Sequence, residues 1–249
     1  MCSFISEPED PPKKVSENSC SATCKTKACH EFSSEEILRD LAKVNSHDVV
    51  KVSDCVDHFF HLECLMNLVK SSGTYFKCPV CQKIFGMKTG DQPSGTFTMN
   101  YSHSTQCAGF PNVGTIIIEY HFPNGVRNGV GYTGTGRGAY LPATEEGIET
   151  ALLLKIAFNR RLTFLVGTSL TTGQKNTVVW GSIHHKTNLK GGSTAFGWPD
   201  PTYFNRVTNE LAANGVYSSD IKQADKGELK KMIEFIAAGK THPKIISHV

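Results

Sequence analysis

The sequence predicts a small metal-stapled domain followed by a larger α+β domain, and three observations carry that prediction. Of the 9 cysteines in 249 residues, all but Cys107 lie before residue 82. Within that stretch Cys and His recur in close pairs, as metal knuckles require. Beyond it, apolar residues follow strand and helix periods in no regular alternation, which favours α+β over a parallel α/β sheet.

A hydrophobic content of 39% can fill a core without disulfides. The formal charge of +3 and pI near 8.3 are too mild to argue for a nucleic-acid partner, so any such contact would be local. No charged-then-apolar leader opens the chain, and nowhere do eighteen apolar residues run together. The expectation is a soluble protein of the cytoplasm or nucleus, with no membrane association.

Residues 1–18 are rich in Pro, Glu, Lys and Ser without periodicity and read as a disordered tail. The Cys/His block, placed at 19–86, contains S-S-E-E-I-L-R-D-L-A-K-V. Ser33 and Glu36 make a capping box there, and Ile37, Leu38, Leu41 and Val44 share one face, predicting a short helix. The segment I-F-G-M-K-T-G-D-Q-P-S-G-T reads as a linker into the second domain, placed at 87–249.

In that second domain Gly114–Phe122 reads as a strand, turned by Asn124-Gly125. Thr144 caps a helix running to about Arg160, with Ile148, Leu152, Ile156 and Phe158 among its apolar residues. L-T-F-L-V-G-T-S-L and T-V-V-W-G-S-I-H read as two strands joined by T-T-G-Q-K-N. A further helix carries Pro201 in its first turn and ends at Gly215, and a last amphipathic helix starts near Ser219. The string G-Y-T-G-T-G-R-G imitates a dinucleotide fingerprint, but A-Y-L-P follows where a helix should run, so a Rossmann site is not expected.

The candidate ligands fall in four pairs: Cys20 and Cys24, Cys55 and His58, His61 and Cys64, Cys78 and Cys81. Eight thiolate or imidazole groups so arranged are what two tetrahedral zinc ions need, since one tight turn supplies half a site. Cys29 and His30 stand as alternatives within the first pair. A closed four-ligand site leaves no position for water, so the zinc is expected to be structural.

The order of these pairs resembles the RING finger, in the variant with two central histidines. The resemblance implies a cross-brace: Cys20, Cys24, His61 and Cys64 on one ion, and Cys55, His58, Cys78 and Cys81 on the other. It also implies docking of a ubiquitin-loaded conjugating enzyme, with Pro79 on the docking surface. The basic residue that commonly follows the last ligand is replaced by Gln82, and three residues rather than two separate the first cysteines.

The remaining stretch resembles the carboxy-terminal domain of the Deltex ubiquitin ligases. The strings that carry the resemblance are G-D-Q-P, R-L-T-F-L-V-G-T-S-L-T-T-G, V-V-W-G-S-I-H-H-K-T and F-G-W-P-D-P-T-Y-F, and the likeness extends over roughly residues 20–216, closest to the short members. It implies a pocket for ADP-ribose or NAD. The implied activity is ubiquitination of ADP-ribosylated proteins or of a hydroxyl of ADP-ribose itself; action on nucleic-acid ends and NAD-dependent ADP-ribosylation of ubiquitin are also implied. Two alternatives remain open: a scaffold that only reads ADP-ribose, and the NAD-consuming reaction.

The candidate site residues follow from both readings. His184 and His185, adjacent on an expected strand, should point to opposite faces and so not share a metal. The resemblance gives the pocket to His184. Glu210 lies on the flank of the helix face marked by Tyr203, Val207 and Leu211, and it matches a family glutamate proposed as a catalytic base. Gly167, Thr168, Ser169 and Thr171 let a backbone approach a ligand and supply hydroxyls. Phe196, before Gly197, is a candidate stacking ring where other members carry histidine, and Arg161, beside Arg160, can pair with a pyrophosphate.

Overall fold

A computed structural model describes residues 49–51 and 58–249. Cys20, Cys24, Cys55, the alternatives Cys29 and His30, the tail and the helix expected after Ser33 lie outside these residues. The chain divides into two compact units, one ending at Lys88 and one running from Thr89 to Val249.

In the first unit β1 (Val49–Lys51) pairs antiparallel with β2 (Phe59–His61), which leads directly into α1 (Leu62–Ser72). Leu62, Leu65 and Val69 recur at helical spacing and form the buried stripe of α1. β3 (Tyr75–Lys77) and β4 (Ile84–Gly86) make an antiparallel hairpin. Phe76 and Phe85, opposite each other in its register, stack at 5.2 Å within the small core of Val50, Leu62, Leu65 and Val69. The expected linker therefore begins as a strand. Cys78-Pro79-Val80-Cys81 forms the hairpin's knuckle, closed by donation from the Cys78 N–H to the Lys83 carbonyl and from the Gln82 N–H to that of Cys78.

The second unit is α+β. β5 (Thr96–Ser102), β6 (Thr115–Phe122) and β9 (Thr135–Pro142) join β12 (Ile245–His248) in a four-stranded antiparallel sheet of order β12-β5-β6-β9. Strict alternation buries Phe97, Met99 and Tyr101 of β5 and Ile116, Ile118, Tyr120 and Phe122 of β6 on one face. Between β6 and β9 the short hairpin β7 (Gly125–Arg127) and β8 (Val130–Tyr132) interrupts. G-Y-T-G-T-G-R-G thus runs from β8 into β9, and the rest of β9, not a helix, follows it directly.

The buried face receives α2 (Glu145–Asn159), whose N–H at Gly147 donates to the capping Thr144 hydroxyl. Ala151, Leu152, Leu153, Leu154, Ala157 and Phe158 are all buried, because α2 packs on the sheet and also on α3 (Tyr203–Ala213) and α4 (Gln223–Ala237). Pro201 precedes α3 rather than entering its first turn, and Gly215 follows its end with φ 76°. A second hairpin, β10 (Phe164–Gly167) with β11 (Thr177–Trp180), is shorter than its apolar strings suggest. His184 and His185 therefore lie in a loop beyond β11, not on a strand.

Among the described residues, no helix is long and apolar enough to cross a membrane.

Candidate functional site

The loop after β11 is built on an aromatic base. Trp180 stacks on Phe164 at 4.4 Å and on the His185 ring at 4.2 Å, while Tyr120 meets His185 edge-on. The His185 ring is buried and fully bonded: Nδ1–H donates to the Ile183 carbonyl at 2.9 Å, and Nε2 accepts from the Tyr120 hydroxyl at 2.8 Å. Burial pushes its pKa down to about 4, so the ring is neutral. His185 is a structural anchor.

With His185 turned inward, His184 turns outward. The two point apart although no strand carries them, because Ile183 and His185 are drawn into the core on either side of His184. Glu210, half-buried on α3, meets it: Oε2 accepts the His184 backbone N–H at 2.8 Å, and Oε1 lies 2.6 Å from Nδ1. Tyr203 and Val207 bury the face of α3 beside Glu210, and the Tyr203 hydroxyl donates to the His184 carbonyl at 3.1 Å. One turn after Glu210, the Asn214 amide donates to the Glu210 carbonyl and to the Ser182 hydroxyl.

A second feature was not foreseen. Lys186 Nζ donates to Asp200 Oδ2 at 2.6 Å and to the Gly197 carbonyl at 2.8 Å, and it lies over the rings of Trp198 and Tyr203. Arg206 donates to the same carboxylate from the other side. Arg206 first, then Lys186 and Thr202, hold the Asp200 carboxyl below the usual carboxylate range against the cost of its burial. This network ties the loop before α3 to α3 itself. Neither Lys186 nor Asp200 breaks a period in the sequence, so only the packing shows them as partners.

Phe196 stands exposed at φ 53°, on a loop fastened by donation from the Asn188 side chain to the Ala195 carbonyl. Gly197 has no alternative: a Cβ there would sit 2.0 Å from the Lys190 carbonyl oxygen. Gly167 ends β10, and Thr168, Ser169 and Thr171 lie in the connection to β11. The Ser169 hydroxyl accepts the Thr172 N–H at 3.3 Å, so it serves its own turn in this state.

Arg160 and Arg161 lie at the end of α2. Arg160 forms a bidentate pair with Asp220 and donates to the Gly215 carbonyl, which makes it structural. Arg161 is exposed, and its guanidinium donates to the Gln92 carbonyl at 3.5 Å. G-D-Q-P packs against this corner. The buried Gln92 side chain accepts the Thr163 and Phe164 N–H groups and donates to the Phe158 carbonyl.

In the first unit the ligand atoms of His58, Cys78 and Cys81 lie within 4.8 Å of one another. One nitrogen and two sulfurs so gathered suit a borderline-soft ion such as zinc. His61 is exposed at the start of α1 and Cys64 lies half-buried within it; their expected companions are outside the described residues.

Comparison with known proteins decides the family. The model of the Deltex C-terminal domain matches residues 89–216. The chain belongs to the Deltex family. It is 44% identical over 146 residues to the human probable E3 ubiquitin-protein ligase DTX3, covering 56% of this chain and 42% of that protein. It is 40% identical over 176 residues to human E3 ubiquitin-protein ligase DTX1, covering 66% and 28%. To mouse E3 ubiquitin-protein ligase DTX4 it is 38% identical over 179 residues, covering 68% and 29%. The matched region is thus less than half the length of these Deltex relatives. The residues 89–216 matched by the Deltex C-terminal domain contain the His184–Glu210 contact and the Lys186–Asp200 pair.

Proposed function

We propose that this Deltex chain is a RING-type ubiquitin ligase whose second unit holds ADP-ribose or NAD. In this reading the first unit is a cross-brace with two structural zinc ions. His58, Cys78 and Cys81 would act with Cys55 on one ion, and Cys20, Cys24, His61 and Cys64 on the other. The unit recruits a conjugating enzyme charged with ubiquitin. The second unit gathers ADP-ribosylated proteins, with nucleic-acid ends as a further class of acceptor.

The observation that carries the reading is the His184–Glu210 contact of 2.6 Å at the outer edge of the loop after β11. A carboxylate and an imidazole in contact, on rigid supports and open to solvent, form a proton-handling pair suited to drawing the proton from a ribose hydroxyl. Phe196 supplies an exposed ring for stacking. Gly167, Thr168, Ser169 and Thr171 offer small side chains and hydroxyls, and Arg161 an exposed guanidinium for pyrophosphate, while Gly197 serves the fold of the loop that presents Phe196. Two acceptors follow. The ribose hydroxyl can attack the thioester of ubiquitin, or a lysine of the ADP-ribosylated protein can do so while the site only recruits.

The test is reconstitution with ubiquitin, a panel of conjugating enzymes and free ADP-ribose. Both lysine-linked products and a ubiquitin–ADP-ribose ester are expected. Glu210→Ala should remove the ester and spare lysine transfer. Binding of ADP-ribose with no transfer by any conjugating enzyme would leave only a scaffold.

A further inference from the structure

Asn-Gly steps occur in the chain at Asn124, Asn128 and Asn214. Such a step is chemically labile, because a glycine nitrogen, unshielded by a Cβ, can reach the side-chain amide carbon of the residue before it. The fold treats the three differently. Asn214 is buried at the end of α3, where its side-chain amide donates to the Ser182 hydroxyl and the Glu210 carbonyl. The Gly215 N–H is engaged as well, donating to the Ala212 carbonyl at 2.9 Å. Asn124 closes the base of the β7–β8 hairpin: its Oδ1 accepts the Gly134 N–H at 2.8 Å, and Gly125 sits in β7 opposite Tyr132. At both sites the fold holds the groups that would have to meet.

Asn128 stands at the tip of the same hairpin. Arg127 pairs with Val130, so Asn128 and Gly129 are the two loop residues, and their φ angles of 50° and 77° are those of a type I′ turn. The Gly129 N–H lies outside the ladder, and a Cβ on Gly129 would meet nothing within 4 Å. Among the described residues the Asn128 side chain has no hydrogen-bond partner. The hairpin is a separate two-stranded sheet, three residues to a strand. Its register puts Val126 and Val130 on opposite faces, and they are 72% and 52% exposed, so neither face is covered near the tip. A ribbon this short and uncovered opens at little cost. Asn128 needs that opening, since its left-handed backbone must rotate before the amide carbon meets the Gly129 nitrogen. The Arg127–Asp91 pair restrains the tip only weakly, because Asp91 is 83% exposed.

We propose that Asn128 is a self-modifying site, converting to aspartate and isoaspartate in the folded chain while Asn124 and Asn214 persist. The Gly129 nitrogen gives up its proton and bonds to Cγ of Asn128. The Cγ–Nδ2 bond breaks, and ammonia leaves with that proton. Water then opens the cyclic imide. Addition at Cγ restores the ordinary backbone as aspartate; addition at the main-chain carbonyl carbon leaves the chain running through the side chain as isoaspartate. Either product places a carboxylate next in sequence to Arg127, where it competes with Asp91 for the guanidinium. Isoaspartate also adds a methylene to the backbone, which a two-residue turn cannot hold in register. The modified tip is then a substrate for a methyltransferase that recognises exposed isoaspartyl carboxylates.

The experiment incubates the full chain at neutral pH and body temperature and follows the exchange of amide for acid at each asparagine by peptide mapping with mass spectrometry. Asn128 should convert at least about tenfold faster than Asn124 or Asn214, which react only after larger openings of the fold. In urea the three rates should converge, since every one of these asparagines is followed by glycine. The rate at Asn128 should rise with pH, because the attacking nitrogen must lose its proton. Methyl transfer from S-adenosylmethionine by an isoaspartyl carboxyl methyltransferase should grow with incubation time in the wild type and fall to background in Asn128→Gln, whose longer side chain closes the ring poorly. Conversion led by Asn124 or Asn214 in the folded chain overturns the proposal. So does an Asn128 that stays intact when folded but converts in urea.

Discussion

Lys186 Nζ lies 2.6 Å from Asp200 Oδ2, and their side chains are 3% and 2% exposed. Both charges are withdrawn from water, and each is satisfied: the ammonium by Asp200 and the Gly197 carbonyl, the carboxylate also by Arg206 and Thr202. Removing one member of such a pair strands the other. Asp200→Ala should therefore cost about 3–5 kcal/mol in urea unfolding. Lys186→Met should cost less, because Arg206 still neutralises Asp200. Equal losses would show that Arg206 contributes nothing. Since the Asp200 carboxyl is held below the usual range, its contribution is complete at neutral pH and fades only as pH falls below that range.

His185 sets a second pH dependence. Its folded value of about 4 lies below the ordinary 6.5, so between them the unfolded chain binds the extra proton. Stability is full above 6.5 and falls as pH drops towards 4. From pH 7.5 to 5 this one ring should remove roughly 2 kcal/mol. Urea unfolding of wild type and His185→Gln at the two pH values isolates the effect: the variant is less stable at pH 7.5 but should show a shallower decline. Parallel declines would mean that His185 is not buried neutral.

Gln92 joins the start of the second unit to the end of α2 and the start of β10. Gln92→Ala leaves two backbone N–H groups and a carbonyl without their partner, at a cost of about 1–3 kcal/mol or more. Thermal unfolding checks it. An unchanged midpoint would show that water replaces the amide freely.

The knuckle of the first unit bears on metal content. With His58, Cys78 and Cys81 gathered within 4.8 Å, the proposed two-zinc reading expects Cys81→Ser to release one zinc per chain and leave the other. Zinc released by a thiol-blocking reagent, counted per chain, reads this. Unchanged content in Cys81→Ser would remove that residue from the ligand set.

How much of this was legible in the sequence differs by element, for physical reasons. β6 and α2 are plain because T-I-I-I-E-Y-H-F runs to β-branched and aromatic residues and Thr144 caps its helix through the side chain. β7, β8 and much of β9 are rich in glycine, so propensity argues against strands that pairing with β6 and with each other enforces. β12 is four residues at the chain's end and gains its identity only beside β5. For the histidines, the expected strand is absent, yet the split between an outward His184 and an inward His185 stands, because core packing at Ile183 and His185 does what alternation would have done. The Glu210 side of α3 followed from the 3.6-residue period. The Lys186–Asp200 pair did not, because charged residues fourteen apart announce no contact.

The proposed function requires that the second unit bind ADP-ribose beside His184. Calorimetry of ADP-ribose titrated into the full chain tests it most directly. Saturable heat is predicted, with affinity reduced about tenfold in Phe196→Ala from the lost stacking. A flat titration with folded protein would contradict it.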